Sequence, residues 1–119
     1  MRLFRVQNAT GHGPFVSEDT IRVMNRAQLG RSDREFHNRF PTAYLAGLRQ
    51  YGDDIRHAAP TLKALTKWFP RRIRRALAQR GFSLVEVDVP PERVKADNLQ
   101  AVFEPEYAKL LASYPLAIM

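Results

Sequence analysis

The sequence predicts an α+β fold: a small antiparallel or mixed sheet with three to five helices, in a single domain over residues 1–119. A length of 119 residues suits one hydrophobic core, and 45% hydrophobic with 26% charged residues is an ordinary globular composition. Segments with strand-like alternation lie near the two ends, whereas helical spacing dominates the middle of the chain. Strands and helices that are segregated in this way are typical of α+β proteins.

The N-terminal segment predicts a strand followed by a turn. Leu3–Val6 is a short run of apolar residues around one cation, bounded by polar residues. Regular alternation places Arg5 on the face opposite to its two neighbours, and we expect it to be exposed and paired with Glu86 or Asp88. Gly11–Pro14 predicts a turn, because glycine reaches unusual backbone angles and proline fixes φ.

Two helices and a loop are predicted before residue 55. Ser17 can cap a helix whose first turn is acidic, and Gly30 can end it. Residues 30–40 are polar and predict a surface loop. Pro41 opens a second helix through about Gln50, with Tyr44, Leu45 and Leu48 on its inner side.

A basic block, defined as Thr61–Gly81, follows and contains no acidic residue. The chain has 19 Lys+Arg and 12 Asp+Glu residues. Without the seven cations of the block, 12 residues of each sign remain. The block therefore accounts for the whole net charge of +7. Proline at Pro70 predicts two helices, because it cannot continue the first one without a kink. We expect both to pack on the sheet through an apolar stripe of Leu62, Leu65, Phe69, Ile73 and Leu77.

The C-terminal third predicts two strands and a last helix. Residues 82–89 alternate and form the strongest strand pattern in the chain, which Pro90 and Pro91 terminate. Gln100–Phe103 predicts a shorter strand. A helix is expected from Pro105 to Pro115, because Tyr107, Leu110, Leu111 and Tyr114 have helical spacing.

Several classes of site are disfavoured by composition and spacing. The absence of cysteine excludes disulfides and thiol chemistry, and His12, His37 and His57 lack the spacing of a metal site, so we predict no metal and no cofactor. Adjacent Asp53 and Asp54 are expected to be plain surface. No apolar run approaches the roughly 18 residues of a membrane helix. We therefore expect a cytoplasmic protein without membrane contact.

The basic block is the candidate binding surface. A pI near 10.4 indicates an acidic partner: a nucleic acid, an anionic surface or an acidic protein. Guanidinium groups bind phosphates in bidentate fashion, and an aromatic ring can stack on a base. The predicted contact residues are Lys63, Lys67, Trp68, Arg71, Arg72, Arg74 and Arg75. The alternative is a solvated helix face whose arginine stems cover apolar surface.

Five short segments carry a resemblance to known proteins: Leu3–Val6, Gly11–Phe15, Leu65–Pro70, Gly81–Leu84 and Gln100–Phe103. Together they resemble a type of small protein met in bacteriophages and prophages. This resemblance implies a binding protein in the host cytoplasm whose acidic partner is a nucleic acid, a nucleoprotein or a host protein. It also implies that the protein modulates a host process, including antiviral defence.

The first strand and the late pair of strands also resemble compact ADP-ribosyltransferase-type folds. That resemblance implies an NAD-like cleft with Arg5 at the phosphates or ribose, and places Gln100 where such enzymes have a catalytic glutamate. An amide cannot act as that carboxylate. The alternative to a binding protein is therefore a degenerate NAD-binding enzyme, and the sequence favours a protein without catalytic activity. It does not determine the oligomeric state.

Overall fold

The computed structural model describes residues 1–14, 17–27 and 56–119. Within these ranges it contains three α-helices, six β-strands and three 3₁₀ turns. The helices are α1 (Glu18–Ala27), α2 (Leu62–Trp68) and α3 (Arg71–Gln79). The strands are β1 (Arg2–Gln7), β2 (Arg56–Ala58), β3 (Ser83–Asp88), β4 (Val94–Ala96), β5 (Ala101–Phe103) and β6 (Lys109–Pro115), and the 3₁₀ turns are Pro91–Arg93, Pro105–Tyr107 and Leu116–Ile118. The predicted α+β class is confirmed.

The strands form two antiparallel sheets of three strands each, in the orders β1-β3-β6 and β2-β5-β4. An isolated bridge between Phe4 and Ala59 joins them. The amide of Phe4 donates to the carbonyl of Ala59 at 2.9 Å, and the amide of Ala59 donates back to the carbonyl of Phe4 at 2.7 Å. Strand β1 therefore contacts both sheets.

Both faces of β1 are covered. On one face, Val6 joins a core cluster with residues of all three helices, including Met24, Leu65 and Ile73. On the other face, Leu3 joins a second cluster with Val85 and Val87 of β3 and with residues of β2 and β5. The second sheet thus shields the face of β1 that carries Arg5, and this face is not a solvent-exposed surface.

The basic block folds as two helices divided at Pro70, as predicted. Thr61 is the N-cap of α2, since its Oγ1 accepts a hydrogen bond from the amide of Ala64 at 3.1 Å, and the helix begins at Leu62. Pro70 precedes α3, and Gly81 follows it with φ of +84°, a conformation that favours glycine. The predicted stripe is confirmed: Leu65, Phe69, Ile73 and Leu77 are core residues beside Phe82, and Leu62 packs against them.

The predicted C-terminal helix is wrong. After the 3₁₀ turn Pro105–Tyr107, residues 109–115 form β6 along the second edge of β3, with a bulge opposite Glu86 and Val87. Leu110 and Leu111, which were expected inside, are 58% and 41% exposed. The helical spacing was overridden because β3 has two hydrogen-bonding edges and β1 fills only one.

Several predictions fall outside the described residues: the helix end at Gly30, the loop 30–40, the helix 41–50, His37, and the pair Asp53 and Asp54. The start of the first helix is confirmed, with Glu18 and Asp19 in its first turn and Met24 buried. Among the described helices, none is long and apolar enough to cross a bilayer.

Candidate functional site

The cations of the basic block lie mainly on the surface. Six of the seven are exposed, and Arg74 is half-buried. With 3.6 residues per turn, Arg71, Arg74, Arg75 and Ala78 form one stripe along α3. Arg72 lies about 100° from Arg71 and about 60° from Arg75, so it borders the stripe on the side of Arg75. The arginine fan therefore consists of a three-residue stripe with Arg72 at its edge.

The stripe forms one wall of a cleft with a volume of about 480 Å³. The opposite wall is the last 3₁₀ turn, Leu116–Ile118, together with Met119. Leu116 is buried and anchors this turn in the core, whereas Ala78 and Ala117 are exposed at the cleft. The residues that line the cleft are Arg71, Arg74, Arg75, Ala78, Leu116, Ala117 and Met119. Within the part of the chain that the structure describes, three cations and four apolar side chains line the cleft, and none of these side chains is acidic.

The arginines of the block differ in their partners. Arg80 is bonded to the carboxylate of Asp19 on α1, which compensates its charge. Arg74 donates from Nη1 to the carbonyl of Phe69 at 2.7 Å, so its position is fixed while other guanidinium donors remain. Within the described part of the chain, the side chains of Arg71 and Arg75 form no ion pair or hydrogen bond. Their charges are available to a ligand.

Trp68 must be corrected. The sequence placed it on the binding surface as a stacking platform, but only 7% of it is exposed, and it belongs to the core cluster below α2. Its indole N–H donates to the carbonyl of Leu99 at 3.1 Å. A buried tryptophan with its polar atom bonded is a packing residue, so its ring cannot reach a base.

Arg5 also differs from expectation: it is 5% exposed and does not pair with Glu86 or Asp88. Its guanidinium donates to Gln7 Oε1 at 3.0 Å, to the carbonyl of His57 at 2.7 Å and to the carbonyl of Gly11 at 3.0 Å. Burial, with a smaller contribution from the Arg56 charge, lowers the pKa of Arg5 to about 10. The side chain is still protonated at neutral pH, and it connects β1, β2 and the first loop.

The NAD-like cleft of Arg5 and Gln100 gains no support. Phe4 pairs with Ala59, and His57, two positions before Ala59, pairs with Val102. Because residues two positions apart share a strand face, Gln100 lies on the same face as Phe4. Arg5 follows Phe4 directly and therefore lies on the opposite face. Both side chains are buried. The donors of Arg5 are bonded to protein oxygens.

Two buried polar atoms of the second sheet lack hydrogen-bond partners: His57 Nε2 and Gln100 Oε1. Burial, and secondly the charge of Arg5, lower the pKa of His57 below 6.5. A neutral imidazole is therefore favoured in the folded protein. Within the described ranges, no group of three His, Cys, Asp or Glu side chains is placed to hold a metal ion.

Sequence reasoning missed the apolar wall of the cleft and the first-loop contact of Arg5. The wall residues lie about 40 positions after α3, and no local pattern links the two. The loop contact left one signal in the sequence: Gly11, whose carbonyl accepts from Arg5, has a φ of +83°, a conformation that favours glycine.

Comparison with known proteins places the chain in a family. The family model described as "Bacteriophage T4 Y00F protein" matches residues 1–117, and the chain therefore belongs to this family. Searches of curated proteins and of solved structures returned no match. The predicted resemblance to small bacteriophage proteins is confirmed, whereas these comparisons do not show the resemblance to ADP-ribosyltransferases.

Proposed function

Because the chain belongs to this bacteriophage family, we propose that it is a small non-enzymatic binding protein that contacts an acidic macromolecule, a nucleic acid, through α2 and α3. The observation that carries the proposal is the location of charge: the entire excess of +7 lies in the basic block, and six of its seven cations are exposed. Its proposed contacts are Lys63, Lys67, Arg71, Arg72, Arg74 and Arg75. Buried Trp68 is not among them.

Phosphate binding supports this choice on physical grounds. Arginine presents a planar fork of donors that matches phosphate oxygens, and neutralising phosphates releases condensed counterions. About four to six contacts to a single strand would weaken binding roughly 50- to 300-fold between about 50 and 200 mM salt. An acidic protein partner would lack counterion release of this size.

Membership of a bacteriophage family supports a proposal for the biological setting. We place the protein in the cytoplasm of the infected host, where nucleic acid and nucleoprotein complexes are accessible to it. Its proposed role is to modulate a host process, including antiviral defence, by occupying such a target. No catalytic step is required for this role.

Fluorescence anisotropy with labelled oligonucleotides tests the proposal. The variant Arg71→Glu/Arg75→Glu should lose at least about 10-fold in affinity, and its salt slope should fall by about 1.4 for a single strand. The matched control is Arg22→Glu/Arg26→Glu, two exposed arginines on α1 that change the net charge equally. Equal losses of affinity in both variants would mean that net charge alone, and not the position of the arginines, determines binding.

Absence of binding by the unmodified protein at low salt would refute nucleic-acid binding. Affinity capture from host lysate, with and without nuclease, then identifies the partner class. Capture that survives nuclease and is lost in Arg71→Glu/Arg75→Glu would indicate an acidic protein partner in place of nucleic acid.

A further inference from the structure

We propose that the cleft between α3 and the last 3₁₀ turn binds one nucleotide, with its phosphate on Arg71 and Arg75 and its base against the apolar wall. The inference rests on the proposed function, since it specifies where and how that surface recognises its ligand. It also predicts which form of nucleic acid is preferred.

The cationic side of the cleft suits a phosphate. Arg71 and Arg75 are one turn apart on the same stripe, so their guanidinium groups can approach one anion from the same side. Arg74 lies between them on the stripe and is held by the carbonyl of Phe69, which gives this side one ordered cation. Among the described residues that line the cleft, no side chain is acidic.

The other side of the cleft suits an uncharged, flat group. Leu116, Ala117 and Met119 provide an apolar surface that faces the arginines, and Ala78 adds an apolar side chain on the wall of α3. A thioether makes favourable contacts with aromatic rings, and Met119 is half-buried against the core, which limits its freedom. Inorganic phosphate would leave this wall uncovered, whereas a nucleotide covers both sides.

The arrangement implies a preference for unpaired bases. In a duplex the bases are stacked and paired, so only the phosphates could reach the arginine stripe. In a single strand a base can turn out of the chain and pack on a protein surface. The same chemistry could come from a free nucleotide or from one unit of a strand, and the experiment separates the two.

The test compares four ligands: a nucleoside monophosphate, a single-stranded oligonucleotide, the same strand with abasic sites, and a duplex with the same number of phosphates. The variant Ala78→Leu/Ala117→Leu fills the cleft from both walls without changing charge or adding an aromatic ring. Arg75→Glu removes a cation inside the cleft, and Arg72→Glu removes one outside it on the same helix. Anisotropy measures the strands, and amide chemical shifts at Ala78 and Ala117 of the unmodified protein measure the monophosphate.

We expect the normal strand to bind about 5-fold more tightly than the abasic strand and the duplex, because only its unpaired bases can cover the apolar wall and remove it from water. The leucine variant should lose this advantage and the monophosphate shifts. Arg75→Glu should also lose monophosphate binding, whereas Arg72→Glu should keep it and weaken only the longer ligands.

Equal affinity for normal and abasic strands, or unchanged binding by the leucine variant, overturns the nucleotide cleft while nucleic-acid binding by the basic block stands. Binding of the monophosphate alone, lost in the leucine variant, upholds the cleft as a free-nucleotide site and refutes the proposed function. Binding of none of the four ligands refutes both.

Discussion

Replacing Arg5 by methionine should destabilise the protein although a buried charge is removed. Methionine has a similar length but no donor, so the bonds to Gln7, to the carbonyl of His57 and to the carbonyl of Gly11 are lost. The Gly11 carbonyl retains a second donor, because Arg56 Nη1 bonds to it at 3.1 Å. The substitution therefore has two opposing effects on stability: the loss of hydrogen bonds lowers it, and the removal of a buried charge raises it.

The size of the change follows from these two opposing effects. A hydrogen bond to a charged group contributes about 1.5–3 kcal/mol, so three contribute roughly 4.5–9 kcal/mol. The lowering of the Arg5 pKa to about 10 corresponds to a penalty of about 3 kcal/mol for holding this charge buried beside Arg56. The lost hydrogen bonds outweigh the relieved penalty, and we expect Arg5→Met to lower the free energy of unfolding by about 1.5–6 kcal/mol.

Urea unfolding followed by circular dichroism measures this difference. The control is Arg2→Met on the same strand, whose side chain is 74% exposed and lies 3.6 Å from Glu86, and which should change stability by less than about 1 kcal/mol. Arg5→Lys keeps the charge but lacks the planar fork, so it should also be destabilised. A stability of Arg5→Met equal to that of Arg2→Met would refute the reasoning.

Three further predictions follow from single contacts. Because the pKa of His57 is lowered in the folded protein, the unfolded chain binds the proton first, and the free energy of unfolding should fall as the pH drops below 6.5. His57→Gln should lack this part of the pH dependence. A pH profile of stability that is the same in His57→Gln and in the unmodified protein would contradict the prediction. Thr61→Ala removes the N-cap of α2 and should cost about 1 kcal/mol in urea unfolding, whereas no loss would mean that the cap is replaced by water. Gly81→Ala must adopt a positive φ and should cost about 1 kcal/mol, and a stabilised variant would show that α3 ends differently.

Local signals in the sequence predicted much of the fold. Alternation located β1, β3 and β5, and capping residues with Pro70 located the helices of the basic block. The last strand was missed because its helical spacing is local information, whereas its place beside β3 depends on a free sheet edge. Tertiary context determines such segments.

The candidate site was predicted only in part. The sequence identified the cations, because excess charge on a helix must face solvent. It could not show that Arg5 and Trp68 are covered, since β2 and Leu99 become neighbours of these residues only through the tertiary fold. The apolar wall at Leu116–Ile118 depends on the same long-range packing.

The bridge between Phe4 and Ala59 has a consequence for the order of folding. Strand β1 leaves the ribosome before its partners, yet it pairs with Ala59 and with Ser83–Asp88. Its hydrogen bonds therefore close loops of about 55 to 86 residues, and such non-local pairing slows folding towards the range of milliseconds to seconds. During synthesis β1 stays without its sheet until β3 has emerged, so the β1-β3-β6 sheet forms late.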